Sequence, residues 1–243
     1  MSVNGVAFTT SDMYVQHPVW TAVDAYTISN LHPPSRPNSA TLIHALKNSR
    51  DQGLPDIASY PVIGKFFALQ CRALRVKHAL ELGTLGGYTS IWLASENPGL
   101  HVTTIEVNPH HRNVAQQNLE HAGVADRVDS RLGAGLDVLP RLGKEIAAGE
   151  KPRLGFAYID ADKNNNWNYL DQLIDMCEPG AVIFVDNIVA GGGLVDEAQL
   201  GDVMVSGARE VVEKVGKDGR VEGMVLQTVG EKSYDGILMV VVN

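Results

Sequence analysis

Apolar and polar positions change their spacing along this chain, and the changes mark out its elements. From Ala79 onward, short apolar runs alternate with amphipathic stretches. The runs HALELG, HVTTIEV, RVDSRLG, GFAYID and AVIFVD read as strands. Between them, TSIWLASEN, PHHRNVAQQNLEHAG, GLDVLPRLGKEIAAG and WNYLDQLIDMC read as helices. This rhythm predicts βαβ units and a largely parallel sheet. GLVDEAQLGDVMVSGAREVVEKVG reads as a loop and then a helix, with EGMVLQTVG and YDGILMVVVN after it. Those last two runs are joined too closely for a helical crossover, so they are expected to pair antiparallel. The fold class is α/β: a mostly parallel seven-stranded sheet with a C-terminal antiparallel pair and helices on both faces.

The N-terminal part follows a different pattern. In YVQHPVWTAVDAYTISNL (Tyr14 to Leu31), Val15, Val19, Ala22, Val23 and Tyr26 fall at helical spacing. The prolines of HPPSRPN then break the chain. Asn38 or Ser39 is placed to cap a helix over ATLIHALKNSRDQ, which Gly53-Leu54-Pro55 ends. A longer helix is expected from about Ser59 to Arg75. Residues 1–37 thus read as an accessory helical segment and 38–243 as the main domain. Trp20 and Tyr26 are expected to be core or dimer-contact aromatics.

Composition narrows the class without choosing a chemistry. The chain has 243 residues, 44% hydrophobic and 20% charged, as in an ordinary globular protein. Its net charge of −8 offers no electrostatic footprint for nucleic acid or an anionic membrane, and neither partner is expected. Two cysteines, Cys71 and Cys177, read as small buried hydrophobes in a reducing compartment. No apolar run reaches about 18 residues, so no membrane span is expected. The start of the chain lacks a basic stretch followed by an apolar one, and a cytoplasmic location is expected.

Candidate chemistry enters at ELGTLGGYT. The strand ends at Glu81-Leu82; Gly83 can turn without steric cost, and Gly86 or Gly87 can let backbone approach a ligand. Thr89 opens the next helix, whose free N–H groups favour a carboxylate. Counted from Gly83 the pattern is G-x-x-G-G, not the dinucleotide fingerprint G-x-G-x-x-G. The second strand ends in Glu106, 23 residues after Gly83, where a carboxylate can accept from both hydroxyls of a ribose. Loop and acid together indicate an adenosine-type cofactor. They leave open whether it is NAD or S-adenosylmethionine (SAM).

Two later strands also end in acids. GFAYIDADK places Asp160 at a strand end, followed by Asp162 and Lys163, and AVIFVDN places Asp186 and Asn187 at another, 26 residues after Asp160. In a parallel sheet these ends share the edge that carries the glycine loop. Asp160, Asp186 and the Asn187 amide oxygen would form a hard oxygen cluster suited to Mg²⁺ or a similar cation such as Mn²⁺ or Ca²⁺. NNNWNY reads as a helix entry in which Trp167 or Tyr169 is a minor candidate for substrate contact. His110 and His111 read as a solvated helix start. The glycines of IVAGGGLVDEAQ read as either a mobile lid or a plain connection.

Taken in order, ELGTLGGYT, TIEVN, RLGAGLDVLP, IDADK and VDN resemble the cation-dependent class I SAM O-methyltransferases, the catechol and caffeoyl-CoA type. The resemblance runs from about Asp56 to the C-terminus. It implies a Rossmann-like SAM methyltransferase sandwich over residues 38–243, and a homodimer. It places Glu81, Gly83, Thr84 and Gly87 in the cofactor loop, with Glu81 near the methionine amino group and Thr89 at its carboxylate. Glu106 stands as the ribose acid, Ala134 as the small residue against adenine, and Ser59 as a further cofactor contact. Asp160, Asp186 and Asn187 match the metal ligands, Asp160 also lying beside the cofactor, and Lys163 matches the proposed base. The implied reaction is divalent-cation-dependent methyl transfer from SAM to a hydroxyl of a small catechol-type or polyhydroxylated aromatic acceptor. The competing expectations are an NAD-dependent oxidoreductase and a methyltransferase-like binding protein without catalysis.

Overall fold

β1 (His78–Leu82) shows how the apolar pattern becomes a sheet. In the computed structural model, which describes residues 17–243, all of β1 is buried. Leu80 and Leu82 pack on one face of the sheet and Ala79 on the other. The same period of two recurs in β4 (Leu154–Ile159) and β5 (Cys177–Val185). There Phe156, Tyr158, Val182 and Phe184 face one way, and Ala157, Ile159, Ile183 and Val185 the other. Strands covered on both faces carry near-continuous apolar sequence, as these do.

The remaining strands are β2 (His101–Glu106), β3 (Val128–Leu132), β6 (Val221–Val229) and β7 (Tyr234–Val242). They complete a seven-stranded sheet of order β3-β2-β1-β4-β5-β7-β6. The first five strands run parallel, and β7 pairs antiparallel with both β5 and β6. The sequence expectation for the sheet therefore holds. On one face lie α2 (Ser39–Asp51), α3 (Pro61–Ala73), α4 (Tyr88–Glu96) and α5 (Pro109–His121), around Phe67, Trp92 and Phe156. On the other lie α6 (Gly135–Ala147), α7 (Asn166–Met176) and α8 (Val203–Val215), around Leu139, Leu173 and Val211.

Some boundaries moved for local reasons. α3 starts at Pro61 rather than Ser59 because Tyr60, which precedes a proline, is extended at φ −69°, ψ 154°. Pro61 then occupies the first helical position, where its missing N–H costs nothing. β5 starts at Cys177, earlier than Ala181, and the extra residues are absorbed by a register shift opposite Leu154 and Phe156. Asn38 stands at the N-cap of α2, but its amide donates to Ser95 Oγ and Glu96 Oε1 on α4 instead of capping its own helix.

The expected apolar stripe of the first helix is not part of the core. In α1 (Pro18–Leu31) no residue is buried, and Val19, Val23 and Tyr26 are 58%, 54% and 71% exposed. Tyr14 and Val15 lie outside the described residues. α1 is instead tied down by a polar contact, Asp24 Oδ2 accepting from Glu231 N at 3.1 Å. No helix among the described residues is long and apolar enough to cross a membrane.

β1 lies between β2 and β4, so the chain builds outward through β3 and then returns to the other side of β1. Such a reversal opens a crevice at the carboxyl ends of the two central strands. β7 runs the opposite way, so it presents its first residues, not its last, at that same edge.

Candidate active site

The crevice is a cavity of about 950 Å³. A narrow side pocket of about 30 Å³ adjoins it beneath the loop after β1. Gly83 lines both. Its φ is +93°, and a Cβ there would sit 2.0 Å from the Asp160 carbonyl oxygen, so only glycine lets β1 and β4 end this close together. Gly87, at φ +77°, is the left-handed N-cap of α4 and faces Ala115. It lines neither space itself, although its neighbours Gly86 and Tyr88 line the side pocket. Gly86 lines the side pocket and makes room for Ser49, whose hydroxyl a Cβ would meet at 2.1 Å.

Glu106, at the end of β2, organises the loop. Its Oε2 accepts from Thr84 N at 3.2 Å and Leu85 N at 2.8 Å, and its Oε1 accepts from Asn108 N at 2.9 Å. An ionised carboxylate has about four acceptor sites, so capacity is left on the cavity side for ribose hydroxyls. Ala134, the N-cap of α6, lines the same part of the cavity with Gly133 and Leu136. In the side pocket, Thr89 donates to Ser59 Oγ at 3.3 Å, and Ser59 bonds the Tyr158 hydroxyl at 3.3 Å. Thr84 and Glu81 line it as well. Glu81 is buried and accepts from Ser90 Oγ at 2.5 Å and Thr104 Oγ1 at 2.8 Å. Burial pushes its carboxyl up to about 7, against the pull of those hydroxyls.

The acids of β4 and β5 meet as the sequence predicts. Tyr158 places its hydroxyl between them, donating to Asp186 Oδ2 at 2.9 Å and lying 3.3 Å from Asp160 Oδ2. Desolvation in the crevice, and next the Asp160 carboxylate, raise the Asp186 carboxyl above the usual range. Asn187, at φ +56°, donates its Nδ2 to Asp235 Oδ2 at 2.9 Å. That bond fixes the amide and leaves its oxygen as an acceptor. Lys163 donates to Asp160 Oδ1 at 2.7 Å. Burial works to lower the Lys163 ammonium, but Asp160 and Asp186 outweigh it and the net shift is upward. Lys163 is thus held charged in this arrangement, whereas a base must give up its proton.

Among the described residues no cluster of three or more His, Cys, Asp or Glu side chains could hold a metal. The set here is two carboxylates and an amide oxygen, the hard donors that Mg²⁺ accepts while keeping several waters. Two carboxylates share one tyrosine hydroxyl and one lysine ammonium, and the Asp186 carboxyl is still pushed upward, which fits a further cation beside it.

Several cavity residues carry no sequence signal of the kind used above. Tyr158 reads as an ordinary strand aromatic. Asp235 accepts from Val189 N, Ala190 N and Gly236 N as well as from Asn187, and it stands at the start of a strand. The antiparallel direction of β7 was the available signal. His111 lines the cavity 3.8 Å from Glu106 instead of lying on a wholly solvated helix start. Tyr169 lines it and donates to Asp162, while Trp167 packs against the core under Lys214. Gly191, Gly192 and Gly193 are buried in a tight turn and none lines the cavity, so they form neither a lid over it nor an exposed connection.

Residues 38–241 match the family model described as O-methyltransferase. The O-methyltransferase imqG of Aspergillus flavus is 51% identical over 96% of this chain and 94% of that protein. The catechol O-methyltransferase of Mycobacterium tuberculosis is 39% identical over 90% of this chain and 94% of that protein. Among solved structures, the O-methyltransferase of Bacillus cereus in complex with S-adenosylhomocysteine (SAH) superposes with a TM-score of 0.84 at 38% identity. It covers 93% of this chain and 99% of that one. The SAM complex of TomG from Streptomyces achromogenes gives 0.84 at 33%, covering 94% and 99%. A doubly wound sheet with an acid-held glycine loop at its switch point defines a nucleoside-cofactor-binding protein of the α/β class. Within that class, this chain belongs to the O-methyltransferase family, which sets the nicotinamide alternative aside.

Proposed function

We propose that the protein transfers the methyl group of SAM to a hydroxyl of a small catechol-type or polyhydroxylated aromatic acceptor, with a divalent cation held by Asp160, Asp186 and Asn187. The observation that carries this reading is the convergence of Asp160 and Asp186 on one Tyr158 hydroxyl, beside an oriented Asn187 amide and at the edge of the glycine loop. SAM- and SAH-bound relatives support the donor. The name of the M. tuberculosis relative supports the acceptor class.

The chain's own groups divide the work. Glu106 and the loop it holds bind the nucleoside end of the donor, and Ser59 and Thr89 offer hydroxyls to its amino-acid end. Tyr158 spaces the two acids. Asp235 orients Asn187. Lys163 donates to Asp160 as the ammonium, and it would take the phenolic proton of the acceptor only after passing its own proton to solvent. A bound divalent cation supplies stabilisation of a phenolate and fixes which of two adjacent oxygens is presented. Alignment of donor and acceptor can itself supply several kcal/mol of the barrier.

The test is methyl transfer from labelled SAM to catechol, with EDTA and then with added Mg²⁺. Turnover is expected to vanish with EDTA and return with Mg²⁺. Asp186→Ala is expected to lower it at least roughly a hundredfold, beyond the usual cost of losing a mere supporting partner. EDTA-resistant turnover, or an Asp186→Ala enzyme as fast as wild type, sinks the cation-dependent reading.

A further inference from the structure

The loop between β6 and β7 carries a lysine that the site described so far does not use. Lys232 lines the large cavity. Its ammonium donates to the Ala58 carbonyl at 2.5 Å and lies 5.7 Å above the Tyr60 ring. It forms no ion pair among the described residues. Most of the cavity's other charged groups are engaged within the protein, Asp56 being the exception among its described lining. Lys163 is bound to Asp160, Glu106 to three backbone N–H groups, Asp162 to Tyr169, and Asp235 to three backbone N–H groups and Asn187. A lysine has three donors, and one carbonyl leaves two of them available to a ligand in the cavity that Lys232 lines.

The lysine's setting is fixed in advance. The Tyr60 hydroxyl bonds Ser233 Oγ at 3.0 Å, which holds the ring beneath the ammonium. Asp24 of α1 accepts from Glu231 N, the residue before Lys232. A cation held this way, facing a cavity and lacking an anion, is a preorganised receptor for one.

Resting on the acceptor-site reading above, we propose that Lys232 binds a carboxylate carried by the acceptor, so that the preferred substrate is an acidic diphenol. A carboxylate can reach this cavity from two sources, the acceptor or the methionine end of SAM. The second is matched by the Thr89 hydroxyl in the side pocket, which Lys232 does not line, with Ser59 bordering both spaces. Lys232 lines the large cavity together with Thr228, Ser233 and Met204.

The experiment compares 3,4-dihydroxybenzoate with 3,4-dihydroxybenzyl alcohol, which share the diol and differ in charge. Wild type, Lys232→Met and Lys232→Arg are assayed with saturating SAM and Mg²⁺. Binding of each diol in the presence of SAH, and of SAH alone, is measured by calorimetry. Wild type is expected to favour the benzoate. In Lys232→Met the ratio of kcat/KM for benzoate over alcohol is expected to fall about ten- to a hundredfold, mainly through KM, the range of a charge-assisted hydrogen bond. Lys232→Arg is expected to restore most of the ratio, and SAH affinity is expected to match wild type in both variants. An unchanged ratio overturns the proposal. Weakened SAH binding with an unchanged ratio assigns Lys232 to the cofactor and also overturns it. If wild type methylates the alcohol but shows no preference for the benzoate, this inference fails while the function stands. If it neither binds nor methylates either diol, both fail.

Discussion

Glu81 carries a carboxyl into the middle of the sheet with the Ser90, Thr104 and Thr89 hydroxyls as partners. Burial lifts it from 4.5 to about 7, so the folded protein holds a proton there that the unfolded chain has already lost. Stability from this group is therefore complete below pH 4.5 and drains away as pH rises through 7. The shift corresponds to roughly 3 kcal/mol. Glu81→Gln, which cannot ionise, is expected to lose less stability than wild type between pH 5 and pH 8 by about that amount, read from urea unfolding of the cofactor-free proteins. Parallel losses in the two proteins would show that Glu81 does not titrate in this window. The same residue scale explains what the sequence revealed of the site. Asp160, Asp186 and Glu106 were legible because each ends, or directly follows, a parallel strand, and such ends share an edge. Asp235 was not, because the rule that reads strand ends finds nothing at a strand's beginning. Gly87 carries a second duty that the sequence did not display, the left-handed N-cap of α4, because a glycine's freedom can serve a helix cap as readily as a ligand.

At the scale of elements, the helices and strands were legible wherever both faces meet a neighbour. Phe156 and Ala157 alternate because each has a layer to enter. α1 shows where that reasoning stops. Its periodic Val19, Val23 and Tyr26 look like a buried stripe, yet periodicity describes the helix and says nothing of what covers it. Its firm attachment is polar and far away in sequence, Asp24 to Glu231, which no local pattern could display. That contact couples the first helix to the β6–β7 loop and hence to the cavity wall. Asp24→Ala is expected to raise the acceptor KM roughly two- to fivefold, the worth of about one hydrogen bond, while SAH affinity holds. The check is steady-state kinetics beside calorimetry with SAH; a changed SAH affinity with an unaltered acceptor KM would break the proposed coupling.

For the whole molecule, two apolar layers sandwich one sheet, and the cavity opens where the order of strands reverses. The direction of β7 has a practical corollary. Its first residues sit at the cavity, so its far end, where Asn243 N donates to Arg220 O, lies at the opposite rim. A reporter or affinity tag joined after Asn243 should therefore leave methyl transfer untouched, whereas a bulky fusion immediately ahead of His17 should crowd the arm that steadies the acceptor wall. Side-by-side turnover of the two fusions, each before and after protease removal of the tag, reads out that asymmetry.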